Sequence, residues 1–123
     1  MDTQVNVAPA AESAQFLQEP PHPARHEIDL AAVLHALSDP IRLRIVAGLA
    51  AQDARTCKSF DLPVTKSTCT HHFRVLREAG VIRQRVLGTT RLNSLRRTEL
   101  DQRFPGLLDA VLAGADATVE PAL

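Results

Sequence analysis

Apolar positions along the middle of this chain fall first at helical spacing, then alternate, then return to helical spacing. Ile28, Ala31, Leu34 and Leu37 recur at three-residue steps and predict an amphipathic helix. Asp39-Pro40 opens a second one. The Asp39 carboxylate suits the capping position, and proline at the first helical position lacks an N–H that would have no partner there anyway. Ile41, Ile45, Val46 and Leu49 give this second helix a wide apolar face, so it is expected to be buried. A short helix near 56–60 and a turn through Asp61-Leu62-Pro63 follow. Thr65 can then cap a helix that runs to Gly80, a residue suited to a left-handed stop. After Gly80 the period drops to two. Residues 81–86 and 90–95 read as strands joined through Leu87-Gly88-Thr89. A last helical region covers about 98–113, kinked or restarted at Pro105-Gly106.

Helices, a hairpin and a closing helix make a mainly α fold with a β-hairpin wing, the winged helix-turn-helix layout. The expected organisation is one domain over 27–113. Residues 1–26, interrupted by Pro9, Pro20, Pro21 and Pro23, read as a disordered arm, and 114–123 as a flexible tail.

Charge sharpens this picture. The 123 residues are neutral overall, with 14 Lys and Arg against 14 Asp and Glu. Residues 55–97 nevertheless hold 10 of the cations and only 2 of the anions, while both flanks are acidic. A local basic surface of that kind is either a solvated face or a phosphate-binding one. Aromatic content is only 3%, with no Trp or Tyr, so stacking platforms for single-stranded nucleic acid are not expected. No apolar run approaches the ~18 residues that span a bilayer. Two cysteines are too few for a disulfide scaffold and fit a reducing cytoplasm, the expected location.

The helix over 66–80 divides into two faces. Cys69, His72 or Phe73, Leu76 and Ala79 or Gly80 should meet the core; Ser67, Thr70, His71 and Arg74 fall opposite. The outer face is short and polar, as a helix inserted in a major groove requires. Lys66, Arg74 and Arg77 can pair with phosphates, and Thr68 belongs to the same N-terminal turn. On the hairpin, Arg83, Arg85 and Arg91 flank the Gly88 turn and can reach the backbone or the minor groove. Arg96 and Arg97 are candidates for anchoring the last helix.

Two stretches carry a resemblance. Leu37-Ser-Asp-Pro-Ile-Arg-Leu-Arg-Ile45, followed by Ser67-Thr-Cys-Thr-His-His-Phe-Arg-Val-Leu-Arg-Glu-Ala-Gly-Val81, resembles the ArsR/SmtB family of winged-helix repressors over about residues 28–112. The resemblance implies a homodimer paired through its first and last helices, bound to a palindromic operator in double-stranded DNA and released by an inducer. No enzymatic activity and no cofactor are expected. The chain departs from the family's metal sensors: Thr56-Cys-Lys-Ser-Phe60 lacks the Cys-x-Cys pair, and residues 98–113 hold no His.

No metal site is therefore expected, although Cys57 with His22 or His26 of the arm is an alternative. Thiol chemistry competes with it as the release signal. Cys57 sits beside Arg55 and Lys58, a setting that lowers a thiol pKa, whereas Cys69 reads as a small buried hydrophobe or, as a second sensor candidate, the partner of Cys57 in a bridge within the reading head. An organic inducer stays open beside an oxidant. His71 and His72 point ~100° apart on a helix and cannot share a tight site. Nor does Ser67 with His71 on a convex face make a nucleophile site, for want of a pocket. The rival to DNA binding is a winged helix used only for protein interaction.

Overall fold

The computed structural model of the protein describes residues 19–119. Five α-helices and one small antiparallel sheet follow the expected order: α1 (Leu30–Ala36), α2 (Pro40–Ala51), β1 (Arg55–Thr56), α3 (Lys66–Glu78), β2 (Ile82–Leu87), β3 (Thr90–Leu95), α4 (Arg97–Arg103) and α5 (Leu107–Val119). Single 3-10 turns at Arg25–Glu27 and Cys57–Ser59 complete the set. The first helix is shorter than its apolar stripe, because Asp29 caps it by accepting the Ala32 N–H. The short helix expected near 56–60 is a two-residue strand and a 3-10 turn instead. β1 pairs with β3, so the hairpin grows into a sheet of order β1-β3-β2.

The helix ends follow local chemistry. Asp39 caps α2 with one carboxylate oxygen, which accepts from the N–H groups of Ile41 and Arg42 at 2.8 and 3.1 Å. Burial pulls the Asp39 carboxyl up, but those N–H groups and the nearby His72 outweigh it and hold it below its ordinary range. At the far end of α3, Gly80 has φ +88°. There Val81 N–H reaches Leu76 carbonyl and Gly80 N–H reaches Arg77 carbonyl, the paired closure of a Schellman stop. A side chain at Gly80 would also strike Ile28, whose Cγ1 lies 2.7 Å from where a Cβ would sit. Two constraints thus select glycine there. The final helical region is cut in two at Pro105-Gly106, as the sequence leads one to expect.

The core lies where α2 crosses α3, α5 and the sheet. Ile45, Val46 and Leu49 of α2 meet Phe73 and Leu76 of α3 there, all fully buried. Residues 19–26, read from the sequence as part of a loose arm, lie against the hairpin. His22 Nε2 accepts the Gln84 N–H at 2.9 Å, and the Pro23 carbonyl accepts from Arg96 at 2.8 Å. The remainder of that arm, 1–18, lies outside the described residues, as does 120–123. α5 continues through part of the expected tail.

Candidate nucleic-acid interface

Thr65 starts the surface. Its Oγ1 accepts the Thr68 N–H at 3.2 Å and donates to the Thr68 hydroxyl at 2.9 Å, which fixes the first turn of α3. The first two turns carry the exposed side chains of Lys66, Ser67, Thr70 and His71, and Arg74 follows one turn on. With Thr65 they line one open depression. The Thr70 hydroxyl donates to the Lys66 carbonyl, leaving its lone pairs outward. Among the described residues no carboxylate lies within ion-pair reach of Lys66 or Arg74, so both cations face solvent. The division into faces read from the spacing holds: Cys69 is half-buried, and His72, Phe73 and Leu76 are buried.

Arg77 is a correction. Expected at phosphate, it is 9% exposed and donates from Nη1 to Gln84 Oε1 at 3.0 Å. Burial lowers its guanidinium pKa, with the exposed Glu78 acting the other way. The signal was present in the sequence: Arg77 follows Phe73 by four residues and so shares the inward side of the helix. His72 differs in detail as well. It is buried, and its Nδ1 faces Arg42 Nη1 at 3.1 Å rather than a backbone group. Burial is the main reason its pKa falls, so the ring is neutral at pH 7 and Nδ1 can accept.

The three wing arginines are not one cluster. Side chains alternate across a strand, and register partners share a face. Arg83 and Arg85 lie on one face; Arg91, opposite Val86, lies on the other, with Gln84 and Asn93. Glu19 sits between the first two, 3.5 Å from Arg83 and 3.8 Å from Arg85. Arg91 is exposed on the side of α3. Arg96 is buried by a two-toothed pairing with Glu99 at 2.6 and 2.9 Å, and Arg97 pairs with Asp109, so both anchor the last helices.

The Cys57 thiol also differs from expectation. Cys57 and Cys69 are free and half-buried. Burial pushes the Cys57 thiol up, and a contact from Asn93 and the charge of Arg91 only partly oppose it. The neighbouring arginine does not help: the Arg55 guanidinium lies 3.9 Å over the Phe60 ring and donates to Ser59. Burial raises the Cys69 thiol too. His22 sits at the β2 edge of the sheet and Cys57 beyond β1 at the other, so the alternative Cys57–His22 site is not assembled within one protomer. His26 lies in the 3-10 turn before α1. Among the described residues, no three His, Cys, Asp or Glu side chains gather as metal ligands would. No described helix is long and apolar enough to cross a membrane.

Residues 37–85, from the end of α1 to the middle of β2, match the family model described as a helix-turn-helix domain. The chain carries a winged helix-turn-helix. No curated protein matches it. In this winged helix-turn-helix, α3 is the second helix of the motif and β2–β3 the wing. The match points to a DNA-binding regulator. Residues the sequence left unassigned contribute as well. Gln84 and Asn93 bond to one another inside the wing, and Arg42 reaches α3 from below. A glutamine at an inward position between Ile82 and Val86 was the available signal for the first.

Proposed function

We propose that this chain is a sequence-specific transcriptional repressor of the ArsR/SmtB type, binding a palindromic operator in duplex DNA as a homodimer. The observation that carries the reading is the outer face of α3: Ser67, Thr70 and His71 exposed, flanked by Lys66 and Arg74, both uncommitted to any described carboxylate. A helix so equipped enters the major groove, where hydroxyl and imidazole meet base edges while the cations take phosphate oxygens. Thr68, its hydroxyl already engaged by Thr65, supports the first turn. Arg85 and Arg91, on opposite faces of the wing, offer backbone contacts beyond the groove. Glu19 also lies within reach of the more exposed Arg85; Arg83, half-buried beside it, joins the other two only if that contact opens. Dimerisation is supported by Leu30 and Leu34, which leave α1 44% and 47% exposed. In a homodimer paired through α1 both would be covered.

Mobility shift of a duplex taken from upstream of the gene, across a salt series, tests the reading. Binding should weaken steeply with salt. A winged helix that serves only protein contacts would show no such binding. Arg74→Ala is expected to weaken binding to every duplex and to reduce the salt slope by about 1, whereas Thr70→Ala or His71→Ala should relax discrimination by about 1–3 kcal/mol per lost base contact. If Arg74→Ala altered sequence preference alone, the two roles would be reversed.

Release by oxidation loses its physical support at Cys57, whose thiol is half-buried and held up rather than down. Peroxide is therefore expected to leave duplex affinity unchanged, in wild type and Cys57→Ser alike. A loss confined to the wild type would restore thiol control.

A further inference from the structure

We infer that Gln84 is a positioning residue that sets the wing against the reading helix, through a buried chain of side-chain hydrogen bonds; the inference rests on the duplex-binding reading above. Arg77 Nη1 donates to Gln84 Oε1 at 3.0 Å, Gln84 Nε2 donates to Asn93 Oδ1 at 2.8 Å, and Asn93 Nδ2 donates to the Arg55 carbonyl at 3.1 Å. Gln84 is 2% exposed and Asn93 is fully buried. The chain therefore ties α3 to β2, β2 to β3, and β3 to β1.

Its direction cannot reverse. A guanidinium only donates and a backbone carbonyl only accepts, so each amide between them has one allowed orientation. Gln84 must turn its oxygen to Arg77 and its NH2 to Asn93; Asn93 must turn its NH2 to Arg55. Apolar residues would fill the same space at lower desolvation cost, and buried polar groups are no argument for stability by themselves. Arg77 even leaves its buried Nε without a partner among the described residues. What the chain supplies is geometry. Apolar surfaces can slide past one another, but hydrogen bonds hold only within a narrow range of distance and angle.

That geometry matters where the wing and α3 must meet one duplex together. Gln84 lies between Arg83 and Arg85 in β2, and Asn93 is two residues from Arg91 in β3, so the strands fixed by the chain are those that carry the wing's cations. The Gln84 N–H, bonded to His22, fixes the outer edge of the same strand.

The test compares wild type, Gln84→Leu, Arg77→Met and the double variant on the upstream duplex and on a scrambled duplex of equal length, over a salt series, with thermal melting to verify folding. Each single variant should lose about tenfold in affinity for the upstream duplex, and the double variant no more than the worse single, as for partners in one network. The scrambled duplex should bind as before, and the salt slopes should not change. If Arg77 met phosphate directly, Arg77→Met would lower the slope by about 1 on both duplexes and Gln84→Leu would bind as wild type; that pattern overturns the inference. A merely structural role would reduce both duplexes together, and would overturn it too. Should a variant fail to fold, amide exchange in the wild-type protein decides. Protected side-chain NH2 protons of Gln84 and Asn93 uphold the chain, and exchange at the free-amide rate overturns it. Wild type that binds no duplex would instead sink the function proposed above.

Discussion

Phe73→Ala is expected to destabilise the protein by about 3–5 kcal/mol, a large part of the ~5–15 kcal/mol that holds a domain folded. Phe73 is 1% exposed and projects from the inner face of α3 into the core of α2. Its ring meets Phe60 edge-on at 5.8 Å, and Phe60 in turn lies beneath the Arg55 guanidinium. The chain has four phenylalanines and no other aromatic carbocycle, so few side chains are large enough to fill the space left behind. The cavity should persist rather than collapse, which puts the cost at the upper end for such truncations. Because the outer face of the same helix carries the proposed base contacts, duplex binding should fall with the folded fraction. Urea unfolding, read by circular dichroism, measures the loss. A cost below about 1 kcal/mol would show that α3 does not depend on this contact.

Arg42→Met should cost nearly as much, about 3–4 kcal/mol, for a different reason. Arg42 is 7% exposed, yet it is a ligand and not a surface charge. Its Nε donates to the Ala36 carbonyl at 2.6 Å, its Nη2 to the His35 carbonyl at 3.3 Å, and its Nη1 to His72 Nδ1 at 3.1 Å. The two carbonyls belong to the last turn of α1, where a helix leaves its acceptors unpaired. Methionine fills much of the volume but donates nothing, so two buried acceptors, the Ala36 carbonyl and His72 Nδ1, lose this donor at once, while the His35 carbonyl keeps its bonds from Ser38. The loss should also reach the proposed duplex binding, since Arg42–His72 is a polar contact between α2 and α3 beside their apolar packing. Selectivity for the upstream duplex over a scrambled one should therefore drop further than folding alone explains. Adding His72→Phe to Arg42→Met should cost less than the sum of the two singles. Full additivity would mean that the pair is not coupled.

Much of the architecture was legible in the amino-acid order. Asp39, Thr65 and Gly80 sit at helix boundaries because capping and left-handed stops are local chemistry, decided within four or five residues. The inner and outer faces of α3 follow from a fixed rotation per residue, and Arg77 obeyed that rotation even where its charge suggested otherwise. β1 was not legible: two residues carry no period, and Arg55–Thr56 is a strand only because β3 offers it an edge. The wing arginines show the same limit. Alternation separates neighbours within one strand, but which face Arg91 shares with Arg83 and Arg85 depends on the register of β2 against β3.

Cys57 marks the boundary most sharply. Its neighbours in sequence are cationic, which favours a thiolate, but the Arg55 cation is turned onto Phe60 and the thiol is half-buried beside Asn93. The order of residues by itself determined the two-faced helix α3, its caps and the hairpin, because those depend on short-range backbone geometry and side-chain period. Only the folded chain decided which charges remain available to a ligand. Arg42, Arg77 and Arg96 are consumed by partners far away in sequence, while Lys66 and Arg74 are not. Desolvation and pairing depend on what is brought alongside, and no local pattern encodes that.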